Sequence, residues 1–316
     1  MSFVTYKDID TSYVDERDYL KTGITEFDKK CLGFGKGQLV ILTGTRGSGK
    51  TSLLGQIKLN FVEQGYKGLE FNLEMTNKRA KQWLLLQACG KENLKTRTTK
   101  TGATIFEPKN ELVIEKICNW LGDNLLLDDN KTYNAKKIMA ELKEQLAKTP
   151  IDYVIIDNLF RMDIADYGSE KYLAQTAFVK MLQKFCQEEN ICLILVCHPT
   201  KVKTCPRIED VSGSGDLINA CDLCLIVHRV STDFKFRAKE TFGWGDEHPM
   251  LKYTTLFEVA KDREFGNEGT IVGLYFQYES KRFLGADRQE THYSWDKLPE
   301  TINLVENANI DIKDVF

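Results

Sequence analysis

The sequence predicts an α/β protein with a mostly parallel central sheet, flanked by helices and closed by a C-terminal β-hairpin. Three observations carry that prediction. Short apolar runs rich in branched residues alternate with longer segments of helical period. A glycine-rich turn joins an early strand to an early helix. The chain has 316 residues, enough for one large domain with a sizeable core. Strands that alternate with helices in this way are covered on both faces, which is the environment of a parallel sheet.

The elements follow in order. Residues 38–42 read as a buried strand. After the glycine turn a helix begins at about Lys50 and places Leu53, Leu54, Ile57 and Phe61 on one face. Residues 68–73 read as a second strand and 77–89 as a helix. Residues 125–127 form a short strand, and Ala135, Ile138, Leu142 and Leu146 make one stripe of the next helix. A strand over 153–156 precedes a helix over 171–188, with Ala174, Ala177, Met181 and Phe185 inward. Residues 191–196 and 223–227 are further strands, and 255–259 with 271–276 make the closing hairpin around a glycine-containing turn. Residues 91–109 are polar, basic and unpatterned, and are expected to be an excursion or loop. The domain plan is an N-terminal arm (1–20) suited to linking subunits, the α/β domain (21–285), and an acidic C-terminal tail (286–316).

Composition narrows the class. Hydrophobic residues make up 42% and charged residues 28%, as in soluble globular proteins. No stretch has the uninterrupted apolar length needed to cross a bilayer. The first twenty residues lack the basic start and apolar centre of a signal peptide. The net charge of −3 provides no global field for nucleic acid, so such binding has to come from local basic loops. The nine cysteines form no compact framework; Cys192, Cys197, Cys221 and Cys224 sit in apolar runs, as free thiols do in a reducing cytoplasm. Cys221 and Cys224 have the spacing of half a zinc site, but no second pair stands nearby, so no metal is expected there.

The segment Gly44-Thr45-Arg46-Gly47-Ser48-Gly49-Lys50-Thr51 matches the phosphate-loop pattern at every fixed position. Glycines let the backbone curl around phosphate oxygens, and the amides then form an anion nest at a helix N-terminus. Lys50 reaches the outer phosphates and Thr51 offers its hydroxyl to Mg²⁺. ATP, or another nucleoside triphosphate, with Mg²⁺ is the expected cofactor pair. Asp157 ends the apolar run 153–156 and suits the second metal-holding position. Glu74 follows the run 69–73. It reads either as the base that orients and deprotonates an attacking water, or as a helix-capping acid near Thr76. His198 ends the run 191–197. It reads either as a donor that senses the terminal phosphate, or as a histidine satisfied by hydrogen bonds at a strand end.

At this point the residues resemble a known family. Residues 21–28 (KTGITEFD), Gly33, Gly37-Gln38-Leu39 and GTRGSGKT resemble the start of the RecA-like motor of DnaB-type replicative DNA helicases. FNLEM (71–75), VIIDNL (154–159), Cys197-His198-Pro199, SGSGD (212–216), Ala220-Cys221-Asp222 and AKDREFGNEG (260–269) continue the series in order, so the likeness covers about residues 20–285. A histidine at 198, in place of glutamine, is more similar to the phage and Twinkle-like branch. No primase-like or collar domain is recognisable, and Asp210-Val211 stand where an arginine is often found.

The resemblance implies an ATP-hydrolysing ring, usually a hexamer, that translocates on single-stranded DNA and unwinds duplex DNA, with primase or polymerase as candidate partners. It implies the cytoplasm as the place of action, that of a cell or of a phage host. It also implies that Lys261 and Arg263 act on a neighbour's nucleotide; without it they read as a solvated basic turn. DNA contact would fall to the loop around 161–171, which carries Asp163, Asp166 and Glu170, and to the loop after His198, with Lys201, Lys203, Arg207, Ser212 and Gly213. Two other functions share this core: a RecA- or RadA-like recombination ATPase, and a nucleotide-switched ring or loader protein.

Overall fold

The computed structural model describes residues 4–8, 19–129, 132–199, 204–211 and 215–297. The chain begins with β1 (Tyr19–Leu20), α1 (Thr25–Cys31), β2 (Phe34–Gly35), β3 (Leu39–Thr43) and α2 (Lys50–Glu63). Next come β4 (Gly68–Asn72), α3 (Asn77–Cys89), β5 (Leu94–Thr98), β6 (Thr104–Pro108) and α4 (Glu111–Leu121). The middle holds β7 (Leu125–Leu127), α5 (Ala135–Lys148), β8 (Tyr153–Asp157), α6 (Lys171–Glu189) and β9 (Cys192–Val196). The last part is α7 (Gly215–Ala220), β10 (Leu223–Arg229), α8 (Thr232–Phe242), β11 (Thr255–Asp262), β12 (Ile271–Phe276) and β13 (Phe283–Leu284).

Nine strands form the central sheet in the order β13-β12-β11-β10-β3-β9-β8-β4-β7. The strands from β10 to β7 run parallel, whereas β11, β12 and β13 add an antiparallel edge. The β11–β12 pair is the closing hairpin that the sequence predicts.

Period-two alternation splits each central strand between two cores. Leu39 and Ile41 of β3, Val154 and Ile156 of β8, and Leu193 and Leu195 of β9 face a cluster built with α5, α6 and α7. Val40, Leu42, Tyr153, Ile155, Ile194 and Val196 face the opposite cluster, built with α1 and α2. Both faces are dry, which is why these strands read as continuous apolar runs. Side-chain caps start several helices: Thr76 accepts from Arg79 N, Asn134 from Lys137 N and Ser231 from Phe234 N.

Three expectations need correction. Residues 91–109 contain an antiparallel hairpin, β5 with β6, and not only loop. On α6, Ala177 is exposed; Met181 is half-buried and packs against the core as expected, and Phe178, Val179 and Leu182 join Ala174 and Phe185 inward. The part of the expected tail over 286–297 packs on the body. Tyr293 stacks on Trp120 at 5.1 Å between ring centroids, and Trp295 Nε1 donates to Ala88 O. Residues 298–316 and most of the expected N-terminal arm lie outside the described residues. Among those described, no helix is long and apolar enough to cross a membrane.

Candidate active site

Because β10, β3, β9, β8 and β4 are parallel, the segments that follow them all emerge at one end of the sheet. Ligands of open α/β sheets bind beyond that end. A cavity of about 640 Å³ opens there, lined by the phosphate loop from Arg46 to Thr51, by Glu74, Asp157 and His198, and by Trp83, Arg229, Thr254, Phe276 and Tyr278. That size suits a nucleotide.

The loop is shaped by backbone that only glycine adopts easily. Gly44 has φ 150° and a Cβ there would stand 2.4 Å from the carbonyl oxygen of Val227. Gly49 has φ 101° and passes so close to Phe283 that a Cβ would meet its ring at 2.9 Å. Lys50 Nζ donates to the carbonyls of Gly44 at 2.8 Å and Thr45 at 3.1 Å. Burial pulls the pKa of Lys50 down, and the charges of Asp157 and Glu74 act against that. Ser48 Oγ is buried without a hydrogen-bond partner among the described residues. A cradle with a buried ammonium and a spare hydroxyl fits a polyphosphate, and Thr51 with Asp157 fits the cation that travels with it.

Asp157 is almost fully buried at the end of β8. Burial, then the charges of Glu74 and Glu70, push its carboxyl up to about 7, against the opposing pull of Lys58 and Lys50. Across the cavity, three side chains from three loops converge. Asn158 Nδ2 donates to Glu74 Oε1 and lies 2.9 Å from His198 Nε2. His198 Nε2 lies 3.1 Å from Glu74 Oε1. Thr76, not Glu74, caps α3, so the capping alternative for Glu74 is set aside. Neither residue is deeply buried: the side chains of Glu74 and His198 keep 34% and 27% exposure, which leaves room for a water at the carboxylate.

Lys261 and Arg263 stand elsewhere. Asp262 pairs with Leu223 at the start of β10, and Thr255, beside the cavity, pairs with Arg229 at its end. Seven residues of strand, about 20 Å, separate the two ends. Lys261 Nζ donates to the carbonyls of Ile218 and Cys221, both at 2.7 Å, and Arg263 donates to Asp222 Oδ1 and Asn219 O, also at 2.7 Å. Arg263 also lines a second, polar cavity of about 550 Å³ at that end. Arg207 is engaged within the chain: it donates to Glu258 at 3.3 Å and lies over Phe242. Lys201, Lys203, Ser212 and Gly213 lie outside the described residues.

Several residues in or behind the cavity escape a reading of the sequence. Asn158, buried behind Glu74 and His198, leaves one signal, a polar residue directly after Asp157. Trp83, Arg229, Phe276 and Tyr278 leave none, because α3, β10, β12 and the turn after β12 reach the site only through the sheet order.

A central strand that feeds a phosphate-cradling loop, with a buried aspartate at the end of a nearby parallel strand, defines a P-loop protein of RecA-like architecture. Within that class the particular family is also clear. The chain belongs to the DnaB-like helicase C terminal domain family, whose profile matches residues 19–285. It is 23% identical over 282 residues to the replicative DNA helicase DnaB of Mycoplasma genitalium, covering 84% of this chain and 56% of that protein. It is 21% identical over 277 residues to DnaB of Geobacillus stearothermophilus, covering 85% of this chain and 57% of that one. The chain thus spans little more than half the length of these curated relatives. Among solved structures, a DnaB-like replicative helicase, described with its interactions with primase, matches with a TM-score of 0.65 at 18% identity, covering 84% of this chain and 61% of that one. A separately solved ATPase domain matches with a TM-score of 0.65 at 19% identity, covering 84% of this chain and 90% of that one. These structural likenesses concern the fold.

Proposed function

We propose that this chain is the ATP-hydrolysing motor of a replicative DNA helicase, working as a ring-shaped homo-oligomer, a hexamer, that moves along single-stranded DNA and unwinds duplex. The observation that carries the reading is the division of charged groups within a member of the DnaB-like family. The phosphate loop, Asp157 and Glu74 share one cavity, while Lys261 and Arg263 stand at the far end of the sheet, where they could serve only another subunit's nucleotide.

In this reading the loop amides and Lys50 bind the phosphates of ATP, and Thr51 and Asp157 hold Mg²⁺. The cation, when bound, offsets phosphate charge. Glu74 orients a water and takes its proton; Asn158 and His198 hold that carboxylate in place and pass its state to the loop after β9. Lys261 and Arg263 supply positive charge to the neighbouring subunit's γ-phosphate. DNA runs past the loops after β8 and β9, with Lys201, Lys203, Ser212 and Gly213 contacting phosphates and Arg207 bracing the second loop. A primase or polymerase would act beside the ring, in the cytoplasm.

The test is a forked-duplex assay with parallel ATPase and nucleotide-binding measurements. Single-stranded DNA should stimulate hydrolysis, and ATP should drive strand displacement. Lys50→Ala should lose nucleotide binding, and Glu74→Ala should bind ATP yet lose turnover by roughly 100-fold or more. Turnover retained in Glu74→Ala removes that residue from the base role. A wild-type protein that coats DNA and exchanges strands is a recombinase, and one that assembles with ATP but ignores DNA is a switch protein.

A further inference from the structure

A buried polar chain runs from the phosphate-loop helix to the turn that carries Glu74, and it lies outside the cavity residues assigned above. Lys58, about two turns along α2 from Lys50, places Nζ 2.5 Å from Glu70 Oε2. Glu70 Oε1 accepts from Asn72 Nδ2 at 3.3 Å. Asn72 Oδ1 accepts from the backbone amides of Glu74 at 3.2 Å and Met75 at 2.9 Å. Glu70 and Asn72 are two apart on β4, so both side chains leave the same face of the strand. All three residues are buried, with 7%, 4% and 1% exposure for Lys58, Glu70 and Asn72.

Stability does not explain this arrangement well. A buried ion pair is often no more stabilising than an apolar pair of the same volume. What the polar chain supplies is direction. Two backbone amides are pinned to one side-chain oxygen, the amide that carries that oxygen is oriented by Glu70, and Lys58 balances the charge of Glu70.

We propose that Asn72 is a positioning residue for the carboxylate of Glu74, with Glu70 and Lys58 as its support. This inference rests on the ATPase reading above. It ties the water-orienting acid to the helix whose first residues grip the phosphates, so both ends of the reaction share one rigid frame.

The test uses the full chain and reads kcat and KM for ATP hydrolysis, nucleotide binding, and hydrogen exchange at the Glu74 and Met75 amides. Asn72→Ala should lower kcat on the order of 10- to 100-fold, the cost of loosening a reacting group by about an ångström. KM and nucleotide binding should stay within about twofold, because the phosphate loop is untouched. Exchange at the two amides should quicken. Asn72→Ser, whose hydroxyl can still accept from a following amide, should recover part of the loss. The apolar pair Lys58→Met with Glu70→Leu should lower kcat in the wild-type background but add little on top of Asn72→Ala. Full activity in a folded Asn72→Ala, equal losses in the alanine and serine variants, or additive losses in the combined variant would each overturn the relay while leaving the ATPase reading intact. Absent turnover in wild type would remove both.

Discussion

At Asp157, burial and the neighbouring carboxylates Glu74 and Glu70 favour the protonated acid up to about pH 7, far above its ordinary 3.8. The sign of the consequence follows from proton counting. Between these two values the folded chain holds a proton that the unfolded chain has released, so stability falls as pH rises through that window. Below about pH 4 and above about pH 7 this contribution is flat. The nucleotide-free protein should therefore lose stability between about pH 4 and pH 7 more steeply than Asp157→Asn, by up to about 1.4 kcal/mol per pH unit. Denaturant melts of the two proteins at a series of pH values check this; parallel slopes would show that the carboxyl is already ionised. Asp157 can be picked from the sequence because an acid ends an apolar strand in a chain that also carries a phosphate loop; the strand ending alone is a common pattern. Glu74 and His198 leave weaker traces. They meet each other and Asn158 beside the phosphate loop, and nothing in the sequence shows that the three side chains come together.

Among the elements, legibility follows burial. β3, β8 and β9 are buried on both faces, so their apolar runs stand out. The hairpin of β5 and β6 reads as loop because its strands bury little: β5 is exposed except for Leu94, and no side-chain period survives. The inward face of α6 differs from the expected stripe because this helix packs against the sheet and α7 and touches Tyr167 as well, burying two adjacent stripes instead of one. This gives a direct comparison at the scale of one helix. Leu182→Ala should cost about 2–5 kcal/mol, whereas Ala177→Ser should stay within about 0.5 kcal/mol. Chemical denaturation of the two variants decides it. A large loss at position 177 would mean that the face seen here is wrong.

For the whole molecule, the decisive arrangement is the distance between the phosphate loop and Arg263. Arg263 keeps 48% side-chain exposure while pairing with Asp222, so that pair contributes little to folding. Arg263→Ala should fold normally and lose ATPase activity when assayed alone. Mixed with Glu74→Ala subunits, it should recover part of that activity, because an intact Glu74 site can then face an intact Arg263 from the other chain. Sedimentation with and without ATP should show assembly in the wild type. Full ATPase activity in Arg263→Ala alone would remove the residue from any role in trans.

The phosphate loop, Asp157 and the order of the main strands and helices were determined by the sequence itself. They rest on contiguous residues and on periodic burial, and both are local physical signals. The meeting of Glu74, Asn158 and His198, the aromatic and cationic wall of the cavity from α3, β10 and β12, and the opposite placement of Lys261 and Arg263 were decided only by the tertiary structure. Each depends on which strand lies beside which, and neighbours in a parallel sheet are brought together by long crossovers that leave no mark in the local residue pattern.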